Sequence, residues 1–293
     1  MILLVAIAAL LAAPVISVLT LCAVAVRTMR APVRVTVGPP PMGIGAGIVA
    51  VVSGTGETLA GWFVPGMPGR GAVLLVHGIR SDRRILAGRM SFLARAGVAV
   101  LAIDLRAHGE SLGSSITFGR LEALDIAGAV AWLRDAAPGE RLAALGLSLG
   151  GAAVALATPS VSIDALVLES VFPDIASAVS NRMRLVAGPV HRWLTPVFMA
   201  VGTVLTGLRP RDLRPIDALA AYGGPVLILS GSEDRLTTAS ETRALYTAAS
   251  DPKELWLVRG AGHVDLASAA GADYEARILA FVDRHLVRVS ACA

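Results

Sequence analysis

Short apolar runs recur along the chain and alternate with segments whose apolar residues have helical spacing. An uninterrupted apolar run is typical of a strand that is buried on both faces of a sheet. Such runs predict strands at residues 72–76, 98–103, 142–145, 165–168, 225–229 and 254–258. Between them, helical spacing predicts helices at residues 85–96, 121–135, 152–157, 239–249 and 272–286. Strands that alternate with helices predict an α/β fold, with a parallel sheet covered by helices on both faces.

Two regions of the chain depart from this alternation. Residues 44–53 and 58–64 predict an antiparallel hairpin, which brings the expected sheet to eight mostly parallel strands. Residues 172–223 contain no predicted strand and are partly apolar and partly rich in arginine. Because ligands of α/β sheets bind at the carboxyl ends of the strands, we interpret this region as a short helical cap inserted over that edge. We therefore expect one α/β domain over residues 44–293.

The N-terminal segment differs in composition from the rest of the chain. Residues 2–26 carry no charged side chain and are long enough to cross a bilayer with some tilt. A cleaved signal peptide fits less well, because no basic segment precedes the run and no clear cleavage site follows it. We therefore expect a transmembrane anchor at residues 1–30, followed by a stiff proline-rich linker at residues 31–43.

Overall composition narrows the classes of function. Hydrophobic residues make up 55% of the 293 residues and charged residues 16%, which fits a chain with a membrane segment. The net charge of +4 comes from scattered arginines, since Lys253 is the only lysine, and this pattern argues against nucleic-acid binding. Cys22 and Cys292 offer no credible disulfide or metal site. No phosphate loop or metal-ligand spacing occurs either, so we expect neither a cofactor nor a metal.

The candidate nucleophile lies in Gly146-Leu147-Ser148-Leu149-Gly150, between a predicted strand and a predicted helix. A nucleophile elbow requires this context, because the tight turn lifts the serine hydroxyl clear of the sheet edge. Glycine is needed at positions 146 and 150, where side chains would collide with neighbouring backbone. The turn also aims the free N–H groups of the next helix at whatever Ser148 attacks.

A serine hydroxyl needs a base within hydrogen-bond reach, and that base needs a group that orients it. His263 follows the last predicted strand in a glycine-flanked loop, which allows its imidazole to reach back over Ser148. Asp234 follows the penultimate strand and is the expected acid, since it can accept the His263 Nδ1–H and fix the tautomer. The alternatives are Glu233, which competes most directly, and the weaker candidates Glu169 and Asp265.

The order Ser148, Asp234 and His263, each after a strand, resembles the α/β-hydrolase superfamily. The resemblance covers nearly everything from residue 44 onward, and its motifs are specific in combination. They are His77-Gly78, Asp104-x-Arg106-x-His108-Gly109-x-Ser111, Gly146-x-Ser148-x-Gly150-Gly151, Gly231-x-x-Asp234 and Gly262-His263. The second motif, the anchor and the short insertion resemble the membrane-tethered BEM46-like branch, which is similar to lipases and protein depalmitoylases.

The resemblance implies an oxyanion hole made of two backbone N–H groups, those of Leu149 and Ile79. It also implies that several residues near the site shape loops rather than react; these are His77, Gly78, Asp104, Arg106, His108, Gly146 and Gly150. Among them, we expect Asp104 and Arg106 to form an ion pair that pins their loop together with the buried His108 imidazole.

These residues together predict acyl transfer by a Ser-His-Asp mechanism. We expect a membrane-anchored serine hydrolase that cleaves a carboxylic ester or thioester in a small-molecule or lipid acyl substrate. One alternative is a serine peptidase-like hydrolase of the same fold. Another is a non-catalytic, membrane-tethered binding or scaffold protein, although a binding protein needs none of the three triad residues.

The most apolar part of the expected cap is residues 190–208, in which only Arg192 is charged. Such a segment either packs at the sheet edge as ordinary core or lies with its apolar face against the bilayer. In the second alternative, Arg209, Arg211 and Arg214 follow it in position to meet anionic head groups.

The arginines after the anchor predict its orientation in the membrane. Arg27, Arg30 and Arg34 follow the span and no basic side chain precedes it, so the positive-inside rule places the α/β domain in the cytoplasm. Protease added to intact cells should leave the domain uncut, and permeabilisation should expose it. Digestion without permeabilisation would reverse this orientation.

Overall fold

The computed structural model describes residues 1–287, and for residues 2–11 it describes the backbone alone; Cys292 lies outside the described residues. The strands are β1 (Val33–Arg34), β2 (Gly47–Val52), β3 (Thr58–Val64), β4 (Ala72–Val76), β5 (Ala99–Ile103), β6 (His108–Gly109), β7 (Leu142–Leu147), β8 (Ala165–Glu169), β9 (Val226–Gly231) and β10 (Lys253–Val258). The helices are α1 (Ile2–Arg30), α2 (Ala87–Arg95), α3 (Glu122–Ala136), α4 (Leu149–Ala157), α5 (Ile175–Ala187), α6 (His191–Thr206), α7 (Pro215–Ala221), α8 (Ala239–Ala248), α9 (Leu266–Ala270) and α10 (Ala272–Leu286).

Eight strands form the main sheet in the order β10-β9-β8-β7-β4-β5-β3-β2. The hairpin of β2 and β3 is antiparallel, and β3 also pairs antiparallel with β5, whereas the remaining neighbours are parallel. This arrangement confirms the predicted mostly parallel eight-stranded sheet. All the strands from β4 to β10 in this sheet therefore end at one edge, and the loops that follow them meet there.

The central strands are apolar runs because both of their faces are covered. In β4 the alternate residues Val73 and Leu75 join the buried cluster that includes side chains of α2 and α10. Leu74 and Val76 join the cluster on the opposite face, which includes side chains of α3 and α4. Every residue of β4 is buried, so the strand lacks the polar alternation of a sheet with one solvated face.

The cap consists of α5, α6 and α7, and α6 packs against both α5 and α1. Phe198 is buried in the interior of the cap, whereas Trp193 and Val204 of the same helix are 76% and 84% exposed. One face of the cap helix therefore packs as core, as the first alternative predicts, and the described residues leave another face uncovered. At the end of the cap, Arg209 pairs with Asp212 (3.1 Å) and Arg214 with Asp217 (2.6 Å).

Helix α1 has two halves with different surroundings. Its segment Ala12–Arg30 is, by length and composition, apolar enough to cross a membrane. Val15, Ile16 and Leu19 are exposed, whereas Cys22 and Val26 are buried against the rest of the protein. The helix therefore projects from the domain with its first half and packs against it with its second.

Residues 31–43, where the sequence predicts a stiff linker, are held against the domain at their start. Strand β1 pairs in parallel with β6, in a small sheet whose strands the apolar pattern does not predict. The Arg30 side chain donates to the Ile116 carbonyl and the Ser115 hydroxyl, and Arg34 donates to the Gly113 carbonyl. These bonds fix the end of α1 to the loop that follows β5.

The expected ion pair between Asp104 and Arg106 is wrong. Asp104 pairs with the fully buried Arg83, and it also accepts hydrogen bonds from the backbone N–H groups of Arg83 and Glu110. Arg106 pairs instead with the buried Asp125 of α3 at 2.9 Å. Because the two side chains find partners on different elements, they hold the loop by two separate ion pairs.

Removal of Arg83 should show how strongly the first of these pairs stabilises the domain. Arg83→Met would leave Asp104 buried without its cation, which typically costs about 3–5 kcal/mol in the free energy of unfolding. Urea titration of the purified protein in detergent, followed by tryptophan fluorescence, measures the change. Arg84→Met is the matched control, because the exposed Arg84 pairs only with Asp82. Equal unfolding midpoints for the two variants would contradict this prediction.

Candidate active site

Ser148 lies in a strained turn between β7 and α4. Its φ is 48° and its ψ is −111°, a backbone conformation that non-glycine residues rarely adopt. The Ser148 N–H donates to the Glu169 carbonyl of β8 at 2.7 Å, which helps to hold the turn. A Cβ on Gly150 would collide with the His77 carbonyl, and one on Gly146 with the Gly151 backbone. The elbow geometry that the sequence predicts is therefore present, and its glycines are required sterically.

Asp234 and His263 form a hydrogen-bonded pair at the end of the neighbouring strands β9 and β10. His263 Nδ1 lies 2.7 Å from Asp234 Oδ2. Asp234 Oδ1 accepts the backbone N–H groups of Leu236 and Thr237, both at 2.8 Å. Burial alone would raise the pKa of Asp234, but the hydrogen bond and charge of His263 and the two amides outweigh it and leave that pKa below its ordinary value. The carboxylate is thus held ionised beside the imidazole.

The structure brings Ser148 and His263 to the same pocket. Both line it together with Gly78 and Ser170, at the carboxyl end of the sheet. With Nδ1 directed at Asp234, the remaining ring nitrogen of His263 is the one available to a hydroxyl group. Among the described residues no hydrogen bond joins Ser148 Oγ to His263, which is common in free enzymes whose catalytic bonds tighten on substrate binding.

Two backbone N–H groups border a second pocket at Ser148. Ile79, in the loop after β4, and Leu149, the first residue of α4, line this pocket beside the serine. Neither N–H donates a hydrogen bond within residues 1–287, so both are free to bind an oxygen atom. The N-terminus of α4 adds its partial positive charge at the same place.

The other carboxylates considered from the sequence have different surroundings. Glu233 is exposed, and no hydrogen bond joins it to His263 in the described residues. Glu169 is buried and binds Arg89 through both carboxylate oxygens at 2.9 Å, and it accepts the Tyr274 hydroxyl at 2.8 Å. Asp265 also pairs with Arg89, at 2.7 Å. Glu169 and Asp265 are therefore occupied by a buried arginine.

The cluster of Arg89, Glu169 and Tyr274 is a structural feature of the site that sequence reasoning missed. Glu169 Oε1 also accepts the Leu266 N–H at 3.2 Å, three residues after His263. Arg89 Nε donates to the Tyr274 hydroxyl at 2.7 Å, so the three side chains bond to one another. An arginine at helical spacing from apolar residues, as Arg89 is from Leu86 and Leu93, is the signal that could have indicated a buried ion pair.

His77 and His108 hold loops, as the resemblance implies. His77 Nδ1 donates to the Gly78 carbonyl at 2.7 Å, and its Nε2 accepts the Leu105 N–H at 3.0 Å. His108 is bonded in the same way, to the Arg106 carbonyl and the Arg80 N–H. Burial, with a smaller contribution from the nearby His108, lowers the pKa of His77 to about 3. Both rings are neutral and fully bonded, which leaves His263 as the histidine available at Ser148.

Within the described residues no group of three or more His, Cys, Asp and Glu side chains is placed to hold a metal ion. The polar groups at the carboxyl end of the sheet are instead a serine hydroxyl, an imidazole bonded to a carboxylate, and the backbone amides of Ile79 and Leu149. Comparison with known proteins identifies the family of this chain. The profile of the alpha/beta hydrolase family matches residues 73–277. This chain belongs to the alpha/beta hydrolase family.

The relatives of this hydrolase include uncharacterized proteins and solved esterases. An uncharacterized protein of Mycobacterium tuberculosis is 33% identical over 224 residues, which cover 74% of this chain and 72% of that protein. The uncharacterized protein YfhR of Salmonella typhi is 28% identical over 293 residues, covering 93% of this chain and 92% of that protein. The structure of the Pyrococcus furiosus esterase Pf2001 is similar with a TM-score of 0.72 and 25% identity, covering 88% of this chain and 98% of the esterase.

The low pKa of His77 makes the stability of this hydrolase depend on pH. Between about pH 6.5 and pH 3 the unfolded chain binds a proton at His77 that the folded protein does not, so stability should fall as the pH falls through this window. The slope per group is at most about 1.4 kcal/mol per pH unit. Urea midpoints measured from pH 7.5 to pH 4.5 should fall more steeply for the wild type than for His77→Asn. Equal slopes would show that His77 carries no such dependence.

Proposed function

We propose that this protein is a membrane-anchored serine hydrolase that cleaves a carboxylic ester or thioester by an acyl-enzyme mechanism. Ser148 is the nucleophile, His263 the base, Asp234 the acid, and the N–H groups of Ile79 and Leu149 form the oxyanion hole. The observation that carries the proposal is the 2.7 Å bond between His263 Nδ1 and Asp234 Oδ2, with Ser148 lining the pocket that His263 enters. No other described histidine combines a carboxylate partner with access to Ser148.

The reaction begins when the free nitrogen of His263 takes the Ser148 proton as Oγ attacks the substrate carbonyl carbon. The carbonyl oxygen gains negative charge and is stabilised by the N–H groups of Ile79 and Leu149. Asp234 stays ionised and stabilises the imidazolium that forms beside it. His263 then protonates the leaving alcohol or thiol, and a water molecule activated by His263 releases the acid from Ser148.

Two observations favour an ester or thioester as substrate. The solved structure that shares 25% sequence identity with this chain is that of an esterase. In addition, the pocket beside Ile79 and Leu149 is lined mainly by apolar side chains, with Arg182 as its charged member, which suits an acyl chain better than a peptide. The motifs that resemble the BEM46-like branch agree with an acylated substrate.

Anchoring in the membrane is proposed from α1. Its segment Ala12–Arg30 has the length and hydropathy of a span, and only 11% of it is buried in the protein. Exposed apolar side chains on this helix, among them Val15 and Ile16, would otherwise face water. The exposed Trp193 and Val204 of α6, which packs on α1, lie where the cap could contact the same bilayer.

Substitutions in the triad test the mechanism. Ser148→Ala, His263→Ala and Asp234→Asn should each lower turnover of p-nitrophenyl esters by about 10⁴-fold or more, and the double variants should lose little further activity, because the residues act as a unit. Glu233→Gln is the matched control for the acid and should remain active. Full activity in Asp234→Asn together with loss of activity in Glu233→Gln would show that Glu233, and not Asp234, is the acid.

Labelling by a fluorophosphonate probe separates an enzyme from a binding protein of the same fold. Folded wild-type protein should be labelled at Ser148, and Ser148→Ala should not. Absence of labelling in the folded wild type would reject the hydrolase mechanism in favour of a binding role. Labelling with cleavage of peptide but not ester or thioester substrates would favour the peptidase-like alternative.

A further inference from the structure

Two pockets meet at Ser148, and their linings differ in chemistry. The first contains His263, which must protonate the leaving group, so the leaving group belongs on that side. The second contains the amides of Ile79 and Leu149 and is otherwise lined mostly by apolar side chains such as Phe172. A substrate whose carbonyl lies at Ser148 therefore places its acyl group in the second pocket.

The second pocket adjoins a larger apolar pocket farther from Ser148. Four residues line both of them: Met29, Phe118, Ile175 and Val179. Beyond these residues the larger pocket lies against α6, at Phe198 and Gly202, and reaches Leu208. We call these two adjoining apolar pockets, which extend from Leu149 to Leu208, the acyl slot.

One wall of the acyl slot is formed by α1. Met29 lines both of its parts and Val26 lines the distal part, opposite Gly202 of α6. A Cβ on Gly202 would be in ordinary van der Waals contact with Val26 Cγ2, at 3.8 Å, so α1 and α6 approach closely at this position and a small side chain is tolerated there. The pairing of β1 with β6 and the bonds of Arg30 hold this end of α1 in place.

We propose that the acyl slot binds the long acyl chain of the substrate between α1 and α6, so that the membrane-anchor helix is itself part of the substrate site. This inference rests on the proposed serine hydrolase function and names its substrate class, a long-chain acyl ester or thioester. The exposed apolar side chains of Val15, Ile16 and Leu19 lie on α1 before Val26 and Met29. A chain in the bilayer therefore reaches the slot along apolar surface, without crossing water.

Filling the slot should shift the preference of the enzyme from long to short acyl chains. Val26→Trp on α1 and Gly202→Phe on α6 place large side chains in the distal part, where only a long chain reaches. For full-length protein in detergent, the ratio of kcat/KM for p-nitrophenyl laurate to that for p-nitrophenyl acetate should fall at least about tenfold in each variant.

Matched controls lie on the same two helices and point away from the slot. Val24 and Val204 are exposed, at 55% and 84%, so Val24→Trp and Val204→Phe should leave the ratio unchanged. If a large side chain abolishes all turnover, Val26→Leu and Gly202→Ala make the same comparison, and an unchanged ratio in both would overturn the proposal. A lowered ratio in the Gly202 variant but not in the Val26 variant would exclude α1 as a wall.

The outcomes separate this inference from the proposed function. Wild-type protein that neither hydrolyses p-nitrophenyl acetate nor reacts with a fluorophosphonate probe would contradict the hydrolase mechanism itself. Wild-type protein that hydrolyses both esters, with a ratio that none of the slot variants changes, would leave the mechanism standing and overturn the acyl slot alone.

Discussion

Direct contact between backbone segments around Ser148 is the constraint on which the site depends. Gly150 lies against the His77 carbonyl and Gly146 against Gly151, and neither position leaves room for a Cβ. Helix α4 can therefore start immediately above β7, with its first N–H beside the loop that carries Ile79. A side chain at either glycine would push α4 away from its neighbours and would separate Leu149 from the loop that carries Ile79. The unfavourable φ of Ser148 is tolerated because the close packing of the surrounding backbone holds the turn in this conformation.

The fold and the positions of the candidate site residues could be predicted because each follows from local order along the chain. A strand that is apolar at every position must be buried on both faces of the sheet. In β4, alternate residues belong to the two buried clusters on opposite faces. Ser148, Asp234 and His263 each follow such a run, and parallel strands bring their carboxyl ends to one edge. The sequence favours Asp234 over the adjacent Glu233 as the partner of His263, and in the structure Asp234 bonds to His263 whereas Glu233 is exposed.

The partners of the buried charges could not be predicted, because the residues that form each ion pair lie on segments that are distant in sequence. Asp104 and Arg106 are two residues apart, yet they pair with Arg83 and Asp125 on different elements. The contact of the α1 end with the domain could not be predicted for the same reason. It depends on the pairing of β1 with β6, which are distant in sequence, and β6 has only two residues and no apolar pattern. Composition identifies α1 as apolar, but it does not reveal that Val26 and Met29 face a pocket.

Glu169 links the Ser148 turn to the segment after His263 through two different parts of one residue. Its carbonyl accepts the Ser148 N–H, and its side chain accepts the Leu266 N–H in the segment that follows His263. Arg89 and Tyr274 bind the same carboxylate and resist its rotation. The end of β8 is therefore bonded both to the serine turn and to the segment after His263. The spacing between Ser148 and His263 is thus tied to the position of a single strand end.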